Sequence, residues 1–198
     1  MKEIILASTS PRRKGLLQQI GLEFKIVPSN YEEDMTLDLL PHKLAMVLAR
    51  GKAVDVADRL KSGIVIGVDT FIVLGKHRIG KPHTADVAKK TLRKISGKVL
   101  KIYSGVAIID ASTGKELVDY ELTKVKMRKM SKKDIEQYVA TGEPLDKAGA
   151  FAIQGRGAVF VEKLEGCNSN VIGLPLHKLV QMLNKFGIDI FEYGAWNK

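Results

Sequence analysis

A single cysteine, Cys167, stands among 198 residues, so no disulfide can form within the chain and a reducing compartment is its natural setting. Long apolar runs are missing as well. The opening stretch Met1-Lys2-Glu3-Ile4-Ile5-Leu6-Ala7 is too short for the core of a secretory signal. Nothing approaches the roughly 18–20 apolar residues of a membrane-spanning helix. A cytoplasmic chain with no membrane partner is the expectation. Histidine is scarce: His42, His77, His83 and His177 show no zinc-ligand spacing with one another or with Cys167. No Walker A sequence occurs and no Gly-x-Gly-x-x-Gly opens a helix. Ser8 and Ser10 lack a nucleophile-elbow setting. Repeats, low-complexity tracts and obvious linkers are absent too. At this length the chain fits one compact domain or two closely joined lobes, and we expect a single domain over 1–198.

Positive charge is what the chain has in excess. Thirty-two lysines and arginines against 22 acidic residues leave a net charge of +10. Such a balance favours phosphate-bearing partners, although most of these side chains are expected to be solvated. The set Lys124, Lys126, Arg128, Lys129, Lys132 and Lys133 lacks interleaved aromatics and any recognised nucleic-acid-binding module. It reads as a solvated strand and helix start, and nucleic acid is not an expected partner.

Periodicity divides the chain into alternating strands and helices, followed by paired strands. Residues 3–7 read as a short buried strand. Ser10 and Pro11 suit an N-cap and a first helical position, with Leu16, Leu17 and Ile20 as the apolar stripe and Gly21 as the stop. Residues 22–27 predict a second strand. A long helix is predicted from about Leu40 to Leu60, with Leu44, Val47, Leu48 and Val56 on one face. Ile64 to Leu74 is nearly continuous apolar and β-branched, as in a strand buried on both faces. A turn is expected over Lys76–Pro82, then a helix capped by Thr84 and reaching about Ile95. Val99–Ile109 and Glu116–Met127 alternate as strands around Ser112-Thr113-Gly114. Ser131 to Asp134 resembles a capping box for a helix to about Ala140. A hairpin is expected over 150–164, and a last helix from Pro175 to Gly187. The pattern predicts an α/β fold with a mixed central sheet and flanking helices.

Several residues are out of place in this pattern. Arg12, Arg13 and Lys14 fall in the first turn of a helix, where cations oppose the dipole and weaken the helix unless an anion neutralises them. With Ser8 and the free amides of the turn, they make either a phosphate site or a splayed solvated cluster. Asp69 sits inside a β-branched run, where a carboxylate is costly to bury. It is either a metal- or water-handling acid or a structural aspartate. Lys52 lies four residues from both Leu48 and Val56, on the apolar helix face. It either snorkels outward or meets a buried acid or a triphosphate. Glu32-Glu33-Asp34 is normally a solvated loop. Lys81, in Gly80-Lys81-Pro82, is either a loop lysine or a phosphate ligand. Asp146 and Lys147 are either a surface pair or part of a site. Gln154 is either a water-facing strand end or an amide able to read a base edge.

These segments resemble those of the Maf family, the septum-formation-inhibitor-like nucleotide pyrophosphatases. The likeness runs from Leu6 to about Leu183. It rests on Leu6-Ala7-Ser8-Thr9-Ser10-Pro11-Arg12-Arg13, Gly67-Val68-Asp69-Thr70, Gly80-Lys81-Pro82 and Ser96-Gly97-Lys98. It continues in Gly142-Glu143-Pro144-Leu145-Asp146-Lys147-Ala148-Gly149, Ile153-Gln154-Gly155 and Val171-Ile172-Gly173-Leu174-Pro175. The resemblance implies two lobes around a cleft, similar to inosine triphosphate pyrophosphatases, in a homodimer dependent on Mg²⁺ or Mn²⁺. It implies hydrolysis between the α- and β-phosphates of a nucleoside triphosphate. By motif, Ser8, Arg12, Arg13 and Lys14 would bind the phosphates, Gln154 would also bind substrate, and Asp69, Glu33, Lys52 and Lys81 would act in catalysis. Asp69 and Glu33 would hold the metal. The Arg-Arg pair with Ile-Gln-Gly resembles the branch taking dTTP, UTP and modified pyrimidine triphosphates, rather than the branch preferring 7-methyl-GTP. A different expectation is a nucleotide-binding regulator of cell division without essential turnover.

Overall fold

The computed structural model describes residues 2–193. In chain order the elements are β1 (Ile4–Leu6), α1 (Pro11–Gln19), β2 (Lys25–Ile26), α2 (Pro41–Ala57), β3 (Ile64–Leu74), β4 (His77–Ile79) and α3 (Ala85–Ile95). They continue as β5 (Val99–Asp110), β6 (Glu116–Met127), α4 (Lys132–Ala140), β7 (Val161–Glu165), α5 (Asn168–Ile172), α6 (Leu176–Asn184) and α7 (Ile190–Tyr193). One sheet runs in the order β2-β1-β3-β5-β6-β7, with β4 paired to β3. It is mixed, as expected for an α/β chain. β1 is parallel to β2 and β3, while β4 is antiparallel to β3 and β7 to β6.

The chain forms two compact units. The first takes the residues up to Thr70, then Ser104–Glu121 and the stretch from Gly173; the second takes Phe71–Tyr103 and Leu122–Ile172. In the first unit, Ile5, Val65, Ala107 and Ile109 pack with Ala49, Ala53 and Val56 of α2. Two glycines set how closely α2 approaches the sheet. A Cβ at Gly67 would stand 2.3 Å from the Ala49 carbonyl, and one at Gly105 would stand 2.0 Å from that of Ala45. Only hydrogen fits there, so helix backbone and strand backbone are nearly in contact. In the second unit, Ala88, Leu92 and Ile95 of α3 meet Ile135, Tyr138 and Val139 of α4 over Leu100, Ile102, Val125 and Met127.

Three helix starts show how local chemistry competes. Thr84 caps α3 through its side chain, and Ser131 with Asp134 makes a full capping box at α4. Ser10 occupies the N-cap position of α1 without a side-chain cap bond. Its own amide instead donates to Ser8 Oγ at 3.2 Å, which leaves the start of α1 uncapped by side chains.

Several expectations need correction. β2 is two residues long and exposed, because an edge strand of mixed polarity has one neighbour and little to bury. Val47 is 39% exposed, while Leu44, Leu48 and Val56 are fully buried, so the apolar face of α2 is narrower than its sequence suggests. The segment after Gly75 includes a strand, β4, pairing through Ile72↔Ile79. The hairpin expected over 150–164 does not form. Short 3₁₀ turns over Glu143–Asp146, Ala148–Ala150 and Arg156–Phe160 lead into β7, which pairs with β6. The helix from Pro175 is followed by α7 rather than being the last.

Candidate active site

The first unit gathers Ser8, Arg13, Glu33, Lys52 and Asp69, five of the residues singled out in the sequence. β1 ends at Leu6, and its hydrogen bonding to β3 continues through the Ala7 amide to the Ile66 carbonyl at 2.9 Å. That pairing brings the Ser8 turn beside the strand bearing Asp69. Arg13 folds back over the turn. Its Nε donates to the Gly173 carbonyl at 3.0 Å and its Nη1 to Ser8 Oγ at 3.0 Å. Burial lowers the guanidinium's pKa from its ordinary value, opposed by the charge of Asp69, reinforced by Arg12 and opposed again by Glu33. An arginine stays protonated nevertheless. It is therefore a desolvated cation within electrostatic reach of two carboxylates.

Those carboxylates share one partner. Lys52 Nζ lies 2.6 Å from Asp69 Oδ1 and 2.6 Å from Glu33 Oε1. Asp69 and Lys52 are withdrawn from solvent, with side chains 8% and 12% exposed, whereas the Glu33 side chain is 43% exposed. Lys52 does not snorkel. Its ammonium bridges a strand acid to a loop acid. The close approach at Gly67 and Gly105 holds α2 near enough for that reach.

A second set of polar groups adjoins this one, and no local physical cost in the sequence announces it. Thr70 Oγ1 lies 2.7 Å from Ser104 Oγ and donates to the Gly173 carbonyl at 3.2 Å. Gly173 O thus accepts from both Thr70 and Arg13. The chain Ser104–Thr70–Gly173–Arg13–Ser8 fixes the arginine through contacts up to 160 residues apart in sequence. Ser104, Thr70 and Gly173 look like ordinary small residues in the sequence.

The other singled-out residues are placed as follows. Arg12 is half-buried and adds like charge to Arg13. Lys14 is exposed and lines a surface hollow of about 420 Å³ with Gln18, Leu22, Glu23, Phe24 and Ile26. Lys81 and Gln154 belong to the second unit and are exposed. Asp146 and Lys147 form an ion pair with each other.

The second unit contains one further built feature, centred on Glu143. Its carboxylate accepts from Tyr138 Oη at 2.8 Å, the Gly157 amide at 3.0 Å and the Arg156 amide at 2.9 Å. Tyr138 Oη in turn accepts from the Ala152 amide at 3.2 Å. Desolvation pushes Glu143 upward, but these donors outweigh it and hold its pKa below the ordinary value. Burial and the neighbouring carboxylate push the Tyr138 phenol well up. This clasp shapes the turn that follows Gln154, and it explains why the expected hairpin is replaced by 3₁₀ turns.

Asp69 and Glu33 are hard oxygen donors, the type that suits Mg²⁺ or Mn²⁺. Among the described residues no three His, Cys, Asp or Glu side chains gather into a metal-holding group. Two carboxylates that share Lys52 suit a cation held partly by protein and partly by other oxygen ligands, which is how Mg²⁺ usually binds. No helix among the described residues is long and apolar enough to cross a membrane.

The family model described as Maf-like protein matches residues 3–186. A dTTP/UTP pyrophosphatase of Caldicellulosiruptor saccharolyticus is 48% identical over 196 residues, covering 97% of this chain and 98% of that protein. A dTTP/UTP pyrophosphatase of Methanosarcina barkeri is 47% identical over 195 residues, covering 98% and 99%. One of Pelotomaculum thermopropionicum is 46% identical over 190 residues, covering 96% and 100%. With a family-model match across nearly its whole length and relatives 46–48% identical over 96–98% of it, the chain belongs to the Maf family.

Proposed function

We propose that this chain hydrolyses nucleoside triphosphates to a nucleoside monophosphate and pyrophosphate, with dTTP, UTP and modified pyrimidine triphosphates as substrates. The observation that carries the reading is the convergence of Arg13, Lys52 and Glu33 around Asp69, in the middle of β3. A triphosphate needs cations around its oxygens and an acid to handle water, and both are present there. The names of the relatives support the choice of dTTP and UTP.

In this reading a water oxygen attacks the α-phosphorus, the bond from that phosphorus to the bridging oxygen breaks, and pyrophosphate leaves. Asp69 orients the water and takes its proton. Arg13, held by Ser8 and Gly173, presents its remaining donors to phosphate oxygens, with Arg12 and Lys14 adding positive charge. Lys52 moves charge from the carboxylates toward the triphosphate. Asp69 and Glu33 would hold a bound Mg²⁺ or Mn²⁺, which would supply charge neutralisation and activation of water. Lys81 and Gln154 enter by family motif, Lys81 for leaving-group charge and Gln154 for the base edge. Cytoplasmic location, a homodimer and a single Maf-like domain made of the two units complete the proposal.

The test is a screen of common and modified nucleoside triphosphates for pyrophosphate release with several divalent metals. Pyrophosphate with a monophosphate, fastest for dTTP and UTP, is expected. Orthophosphate with a diphosphate contradicts the reaction. Nucleotide binding without turnover favours the regulator.

A further inference from the structure

Glu33 is the one acid of the set carried by a loop, and it is 43% exposed on its side chain. A loop carboxylate is held at 2.6 Å from Lys52 only if the loop itself is fixed. The segment before it is tied to α2 residue by residue. Arg59 Nη2 donates to the Pro28 carbonyl at 2.7 Å and to Asp55 Oδ2 at 3.0 Å. Asp55 Oδ2 accepts from the Asn30 amide at 2.8 Å, and Ser29 Oγ accepts from the Tyr31 amide at 3.0 Å. The Tyr31 ring then lies flat on Gly51. A Cβ built there would stand 2.3 Å from Cζ and 2.4 Å from Cε2 of the ring. Gly51 and Asp55 lie four residues apart on one face of α2, and Arg59 follows four residues later in the turn just past the helix end. Lys52, next to Gly51, receives Glu33.

Gly51 is otherwise hard to explain. It sits well inside a 17-residue helix, where glycine is a poor choice relative to alanine. Its φ is not left-handed, so alanine would fit the backbone. Only the tyrosine ring requires the missing Cβ. The Tyr31 hydroxyl makes no hydrogen bond among the described residues, so the contact is one of shape.

We infer that Tyr31 seated on Gly51, with the Asp55–Arg59 clasp behind it, sets the register of the loop so that Glu33 meets Lys52 and Asp69; Tyr31 and Gly51 are positioning residues for the reaction. The inference rests on the reading of Glu33 as part of the catalytic set. It assigns the helix-interior glycine a purpose: a Cβ at this point would lift the ring and swing Glu33 away from its partners.

The test is a set of variants assayed for pyrophosphate release from dTTP, together with their melting temperatures. Tyr31→Ala should lower kcat by about 10- to 100-fold, the size expected for a displacement of about 1 Å in a catalytic group, with KM for dTTP changed less than about twofold. Gly51→Ala should do the same. Tyr31→Phe should keep near wild-type kcat, because the ring alone makes the contact. In a Glu33→Gln background, Tyr31→Ala should cause no further loss, since it acts through Glu33. An additional loss there as large as in the wild type overturns the inference, and so does a wild-type kcat in Gly51→Ala. If Tyr31→Ala proves too unstable to assay, Gly51→Ala carries the test, because alanine itself favours the helix. A fully active Glu33→Gln enzyme would instead remove Glu33 from the mechanism, a failure of the parent reading rather than of the loop geometry.

Discussion

Replacing Asp69 with asparagine separates stability from chemistry. Asp69 is 6% exposed and its Oδ1 lies 2.6 Å from Lys52 Nζ. Stranding a buried charge entirely costs about 3–5 kcal/mol. Lys52 is not stranded in the variant, because Glu33 remains at 2.6 Å and the asparagine oxygen still accepts a hydrogen bond. The expected cost is therefore reduced to about 1–2 kcal/mol. In a protein of this size that lowers Tm by roughly 2–8 °C, and the fold survives at 25 °C. Activity should fall much further. Loss of a group that handles the attacking water removes about 10²–10⁴ in rate, equivalent to about 3–5 kcal/mol of barrier. Asp110 provides a matched control. It is also buried, at 4% exposure, and also paired with a lysine, Lys2. Asp110→Asn should lose stability while keeping kcat. Thermal melts and pyrophosphate release on the same preparations decide the matter. An Asp69→Asn enzyme within tenfold of wild-type kcat, or one whose loss matches its unfolded fraction, refutes the reasoning.

Other outcomes follow from the packing and the titrating groups. Gly105→Ala should destabilise by at least about 3 kcal/mol, because the new methyl meets helix backbone that cannot turn aside; a melt unchanged within 2 °C would contradict the 2.0 Å approach to the Ala45 carbonyl. Glu143→Ala leaves three donors without an acceptor, and should cost about 1–3 kcal/mol and loosen the turn after Gln154, read by faster hydrogen exchange at Gly157. The Asp110 carboxyl is held well below its ordinary range by Lys2 and Ser112, and the Asp134 carboxyl at about 2 by Arg128 and Ser131. Groups depressed in the folded state contribute stability above their unfolded pKa of about 4 and lose it as pH falls through the folded value. Lys2→Ala should therefore be less stable than wild type at pH 6, with the gap closing below about pH 4. A gap that widens in acid would contradict the assignment.

The fold was legible where one signal dominated over a long span. The β-branched run of β3, the alternation of β5 and β6, and the caps at Thr84 and Ser131 place their elements almost to the residue. The sequence failed where distant groups decide local shape. A carboxylate at 143 draws the amides of Arg156 and Gly157 into 3₁₀ turns, against the local hint of a hairpin. In the site, Asp69, Lys52 and Arg13 were visible because each is costly where it sits: an acid in an apolar strand, a lysine on an apolar helix face, a cation at a helix start. Glu33 could not be told from Glu32 and Asp34 by its own surroundings. The family motif chose it, and the bond to Lys52 gives that choice a geometry. Thr70, Ser104 and Gly173 carry no cost in sequence, so no local signal singled them out, although Thr70 and Gly173 lie inside the family motifs. Gly51 did carry one, as a glycine inside a helix, and that signal went unused.

Hydrolysis of dTTP or UTP in water enriched in oxygen-18 tests the central claim most directly. Attack at the α-phosphorus predicts one heavy oxygen in the nucleoside monophosphate and none in the pyrophosphate. Label in pyrophosphate instead, or release of orthophosphate with a nucleoside diphosphate, would contradict it.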